Sequence, residues 1–224
     1  MRRFLFPLIF GLAGAGALIW LGTWQVQRLT WKQEVLADIN ARIAAPSVSL
    51  PIGPDPEIAQ YLPVEATGDL VGTSIRVLVS QKNIGAGYRM ISAFETEGRR
   101  VLVDRGFVRV GKETDVGAAQ NITITGNLHW PDEIDGYTPA PDIAKNLWFA
   151  RDVGAMAAHL GTEPLLIVAR TSSETGTNVS PLPVSITGIP NDHLNYAITW
   201  YSLAVVWLAM SGALIWRNRQ SGKG

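Results

Sequence analysis

Two uninterrupted 21-residue stretches, residues 4–24 and 196–216, contain no Asp, Glu, Lys or Arg. A helix needs about 20 mostly apolar residues to cross a hydrocarbon layer roughly 30 Å thick, and this 224-residue chain has one such run near each end. All 19 basic and 19 acidic residues lie elsewhere. The charged fraction of 17%, low against the roughly 25% of a soluble domain, therefore conceals a middle of nearly ordinary composition. A plain soluble enzyme is excluded.

The flanks give an orientation. Arg2 and Arg3 precede the first run, while Arg217, Arg219 and Lys223 follow the second, so the positive-inside bias puts both termini in the cytoplasm. Ala15-Gly16-Ala17 resembles a signal cleavage site, but the run continues through Leu18, Ile19, Trp20 and Leu21, past the roughly 7 to 15 apolar residues of a cleaved signal. The reading is a protein of the bacterial inner (cytoplasmic) membrane. Residues 1–3 are cytoplasmic, and residues 4–24 are a first span continuing outward as a helix to about 44. Residues 45–191 form a periplasmic β-rich domain, 192–216 a second span, and 217–224 a cytoplasmic tail. Trp207 falls near the midplane of the second span, where its N–H must find a partner on another helix.

Composition narrows the chemistry. Zero formal net charge leaves no broad basic surface for nucleic acid, and zero Cys removes disulfides, thiolate metal sites and covalent c-type haem attachment. No nucleophile elbow, Walker loop, dinucleotide fingerprint or zinc-protease helix is present. The chain reads as a non-enzyme, with Asp104, Arg105, Arg151 and Asp152 as ordinary salt bridges at the end of a barrel. His129 and His159 read as surface or packing residues.

Between the spans the apolar period changes from helical to two. Residues 61–70, 74–81, 88–96, 100–110 and 120–130 are rich in Val, Ile, Thr and aromatics with Gly near their joints, the pattern of antiparallel strands. The spacing predicts a helix over 142–160, started by Asp142 or Asp152 and stopped by Gly161, then a strand over 165–170 and a loop over 171–191. The fold class is a membrane-anchored α+β protein: two terminal transmembrane helices flank a mostly antiparallel, barrel-like β domain.

One stripe on the second span is informative. His193, Ala197, Trp200, Ala204 and Trp207 recur at intervals of four, three, four and three, so they share a helix face. Trp200 lies about 10 Å below His193 along the axis, with small Ala197 between them. Two readings of this face stay open. An imidazole above an indole-floored slot suits a flat aromatic ligand, and neutral imidazole is a common axial ligand of haem iron. The same face equally suits a packing seam against the first span, whose Gly11, Gly14 and Gly16 permit close approach. Arg28, or Lys32 beside it, stands at similar depth. It pairs with a haem propionate in the first reading and is a snorkelling anchor in the second.

The segments LGTWQVQRLTWK (residues 21–32), Val103-Asp104-Arg105-Gly106-Phe107-Val108, Trp148-Phe149-Ala150-Arg151-Asp152 and NDHLNYAITWY (residues 191–201) together resemble the surfeit locus family of terminal-oxidase assembly factors. The likeness spans both terminal helices and the domain between them. It implies a bacterial factor that binds haem a transiently and delivers it to the catalytic subunit of a haem-copper oxidase, with haem a synthase as a candidate donor and lipid as surroundings. It implies His193 as the axial ligand of the haem iron, with Trp200 beside it, and the ligand reading of the stripe adds Ala197 and Arg28 to the site. The rival expectation is a cofactor-free scaffold that stabilises an oxidase assembly intermediate.

Overall fold

The structure, a computed structural model, describes residues 2–81, 85–112, 116–187 and 189–220, so Lys223 lies outside the described residues. The chain divides into two units, Met1–Asp38 with Thr187–Gly224, and Ile39–Ile186.

The first unit is built from two helices. α1 (Arg2–Ala44) runs for 43 residues, and α4 (His193–Gln220) for 28. Both are long and apolar enough to cross a membrane. Gly11 of α1 faces Ser211, Gly14 faces Trp207 and Gly22 faces Tyr201. As the number rises on α1 it falls on α4, so the two helices are antiparallel. Buried or half-buried positions form one row on each helix, Gly11, Ala15, Leu18, Gly22, Gln25 and Leu29 on α1, with Gly14 and Leu21 beside it, and His193, Ala197, Trp200, Ala204, Trp207 and Ser211 on α4. Both sets repeat at four, three, four, three and four. The alternation of four and three is the spacing of a heptad seam, in which side chains of one helix pack between those of the other. Trp207 donates its indole N–H to Gly11 O at 2.9 Å, which satisfies a donor that lipid could not.

The second unit holds the remaining elements: β1 (Val48–Ser49), α2 (Pro56–Ala59), β2 (Pro63–Gln81), β3 (Gly85–Thr96), β4 (Arg99–Arg109), β5 (Ala119–Leu128), β6 (Leu147–Trp148), α3 (Val153–Leu160) and β7 (Leu166–Ser172). β2, β3 and β4 pair antiparallel in sequence order. β7 then pairs parallel with β4 and antiparallel with β5, and β5 returns to β2, so the mixed sheet closes into a ring. Short β1 and β6 add parallel pairs to β2.

Both faces of the central strands are covered. Val101 and Val103 of β4 join Leu70, Phe94, Ile124 and Leu128 in one apolar cluster. Leu102 between them joins Ile75, Ile91, Leu166 and Met156 of α3 in another. This two-sided burial explains the continuous apolar run in β4. Each such side chain contributes about 1.5–3 kcal/mol of burial free energy.

Two sequence expectations are corrected. Residues 61–70 and 74–81 are one strand, not two. Gly72 takes φ +71° and the register shifts between Val71 and Ile75, so this glycine makes a bulge rather than a turn. The helix expected over 142–160 is confined to Val153–Leu160, where the Asp152 side chain accepts from Ala155 N. Upstream, Asp142 and Leu147 exchange backbone hydrogen bonds of 2.8 and 3.0 Å. Asn146 sits at φ +49° and the Asp142 carboxylate accepts from Lys145 N. Asp142 is thus a turn-former, a role its side chain fills as readily as capping.

Candidate functional site

His193 opens α4, and its Nδ1 lies 2.7 Å from Oε1 of Gln25 on α1. With a carbonyl oxygen as partner, Nδ1 carries the ring proton and Nε2 holds the lone pair. The residue is half-buried, and the contact with Gln25 anchors its ring. This matches the usual support of a metal-binding imidazole, in which the second nitrogen donates to an oxygen that fixes ring and tautomer.

The other predicted residues are placed as follows. Ala197 is only 2% exposed and Ala204 3%, so α1 closes the face that carries them, and the niche drawn from spacing between His193 and Trp200 is filled at Ala197 by helix packing. Trp200 is half-buried on the same stripe. Arg28 is exposed, with its guanidinium 4.4 Å from the ring centroid of Trp31, a cation–π contact on its own helix. Sequence reasoning did not find Gln25, although it lies one turn beyond Leu21 on the seam and inside the segment LGTWQVQRLTWK.

A second set of polar residues lies in the sheet unit. Asp104 is 0% exposed and accepts from Arg89 Nε at 2.5 Å, from Gly106 N at 3.1 Å and from Arg151 Nη1 at 3.5 Å. Arg151 in turn donates Nε and its backbone N–H to Glu133, at 3.0 and 2.9 Å. Burial would raise the Glu133 pKa, but the hydrogen bonds and charge of Arg151 prevail and hold it below the ordinary carboxylate value. Burial, with the nearby Arg151 charge second, pushes His129 down to about 4. Its Nδ1 lies 3.1 Å from Gln60 Nε2, which a neutral ring accepts. Asp104, Arg105 and Arg151 do form ion pairs, Asp104 with Arg89 and Arg151 and Arg105 with Glu174, but these pairs are largely buried rather than ordinary surface ones. Asp104 and Arg105 are buried, and Asp152 is a helix cap.

The Asp104-Arg105-Gly106 sequence acts through a bulge. Met90 pairs with Gly106 and Ile91 with Asp104, so Arg105 is the extra residue. It is turned onto Glu174, with Nη1 donating to Val116 O at 2.9 Å. Gly106 takes φ +124°, and a Cβ there would lie 2.1 Å from Ser180 O. Only glycine permits that approach.

Comparison with known proteins covers both units. The SURF1 family model matches residues 12–205. The SURF1-like protein of Rickettsia felis is 30% identical over 203 residues, covering 84% of this chain and 87% of its own length. Surfeit locus protein 1 of Rattus norvegicus is 29% identical over 206 residues, covering 82% and 67%. That of Homo sapiens is 29% identical over 208 residues, covering 82% and 69%.

Proposed function

The chain belongs to the SURF1 family of cytochrome oxidase assembly factors, and on that premise we propose that it binds haem a through His193 and delivers it to the catalytic subunit of a haem-copper oxidase. The observation that carries this reading is the Gln25–His193 hydrogen bond of 2.7 Å, which leaves Nε2 as a fixed lone-pair donor. Bound haem would supply an iron with affinity for that nitrogen. His193 is the one histidine of the two-helix unit, and its Nε2 is the nitrogen this unit would offer to a haem iron. A single neutral ligand suits capture followed by release. Ala197 serves by smallness, letting α1 approach until Gln25 reaches the imidazole. Half-buried Trp200 would serve as a wall, and Arg28 can leave Trp31 for a propionate, since exposed cation–π contacts are worth only about 0.5–1 kcal/mol.

The proposed setting is a bacterial inner membrane, with both termini cytoplasmic and the sheet unit periplasmic. Haem a synthase is the proposed donor, and the chain itself makes and breaks no bond. The test is the haem a spectrum of protein purified from haem a-producing cells. His193→Ala should abolish it, and unchanged haem content would remove the assignment.

The burial of Ala197 and Ala204 favours a second reading, in which the stripe is purely a seam and the chain a cofactor-free scaffold. That reading has the protein co-purify with its oxidase from cells lacking haem a, and tolerate changes at His193.

A further inference from the structure

Residues 131–146 run from β5 to β6 with neither helix nor regular strand. Segments of this length inside a compact unit are uncommon and are mostly functional or disordered. This one is pinned. Arg151 holds Glu133 at one base. At the other, Asn146 Nδ2 donates to Ser74 O at 2.8 Å and Arg76 Nη2 to Lys145 O at 2.5 Å. Between them Asp135 Oδ1 accepts from Tyr137 N and Thr138 Oγ1, both at 2.9 Å, and Asp142 Oδ1 accepts from Lys145 N at 3.1 Å.

This bonding keeps apolar groups in water. Tyr137 is 94% exposed, Ile134 54% and Ile143 49%. A slack loop would fold such side chains back onto the domain, whereas a rigid one presents them and lowers the ordering cost of binding. We infer that residues 131–146 form a docking loop for a protein surface that offers an apolar pocket to Tyr137 inside a basic rim. The rim follows from charge. Beside the Glu133–Arg151 and Asp142–Lys145 pairs the loop carries Asp132 and Asp135 with no further basic residue in its sequence. Carboxylates of that surplus are repelled by anionic lipid headgroups and steer toward Lys and Arg on a protein. Tyr is also among the residues that most often dominate binding energy at an interface centre.

The test uses the full-length tagged chain in detergent, isolated from oxidase-producing cells. Its probe is the oxidase catalytic subunit, a choice that rests on the function proposed above. Tyr137→Ala should lower the captured subunit at least about tenfold. Asp132→Lys should lower it more at low salt than at high salt. In both variants haem a per chain and thermal midpoint should match the wild type. Capture unchanged in Tyr137→Ala, or absent in the wild type, overturns the inference. So does a Tyr137→Ala chain whose own sedimenting mass falls, because the loop's partner is then a second copy. Haem present with Tyr137-independent capture defeats the loop and spares the haem reading. Haem absent with Tyr137-dependent capture does the reverse.

Discussion

Gln25 on α1 and His193 on α4 are 168 positions apart in sequence and share a hydrogen bond of 2.7 Å. That bond makes the imidazole a directed donor rather than a mobile one. Gln25→Met keeps the length of the side chain but removes the amide oxygen that accepts from the imidazole. The expected result is haem a affinity weaker by about 10- to 100-fold, the usual effect of losing an outer-shell partner, with the thermal midpoint unchanged. Gln25→Glu, which retains an oxygen acceptor, should restore binding. Equilibrium titration with haem a followed by difference spectroscopy checks both.

The α1–α4 seam makes a prediction independent of any ligand. A Cβ built on Gly11 would lie 2.9 Å from Ser211 Cβ, about 0.6 Å short of the roughly 3.5–4.5 Å that a disulfide spans, so a small parting of the two helices brings a cysteine pair into range. The chain has no Cys, so a Gly11→Cys/Ser211→Cys pair should crosslink cleanly on oxidation and migrate faster without reductant. Adding Gly14→Val, whose Cβ would lie 2.4 Å from the Trp207 ring, should sharply reduce the yield.

Asp104 is 0% exposed between Arg89 and Arg151. Asp104→Asn leaves two guanidinium groups with a buried neutral partner. Removing one member of a buried ion pair costs about 3–5 kcal/mol, so the variant should melt well below the wild type. Asp132→Asn, at an exposed carboxylate, should not shift the melt.

Stability should fall in mild acid because of His129. Its folded pKa is lowered from 6.5 to about 4, by burial first and by Arg151 second. Above 6.5 both folded and unfolded forms are neutral. Between 6.5 and 4 the unfolded chain binds a proton that the folded ring refuses, so stability is lost as pH falls, by at most about 1.4 kcal/mol per unit. Glu133 and Glu163 have lowered pKa values and add losses only below the ordinary carboxylate value of about 4.3. Thermal midpoints from pH 7 to 5 should therefore decline in the wild type and flatten in His129→Gln.

The fold class was legible because its signals are local. Two charge-free runs of 21 residues mark the terminal helices, a period-two pattern marks β5, and runs rich in apolar residues and bounded by glycine mark β3 and β4. What spacing could not separate was a strand joint from a bulge at Gly72, or a helix cap from a turn at Asp142, because the same residue types serve both. The buried ion network was hidden for another reason. Arg89 meets Asp104 only through the β3–β4 register, and Glu133 meets Arg151 only through a folded loop. The stripe from His193 to Trp207 was legible as a stripe but ambiguous in meaning, since a ligand-lined face and a heptad seam share the 3.5-residue interval. Only the three-dimensional pairing of α1 with α4 brings Gln25 to the imidazole.

The most direct test is the absorbance spectrum of the reduced, purified full-length chain from haem a-producing cells, recorded for the wild type and for His193→Ala at equal protein concentration. A haem a band in the wild type that disappears in the variant is the predicted result. A wild type without the band, or a variant that retains it in full, contradicts iron ligation by His193.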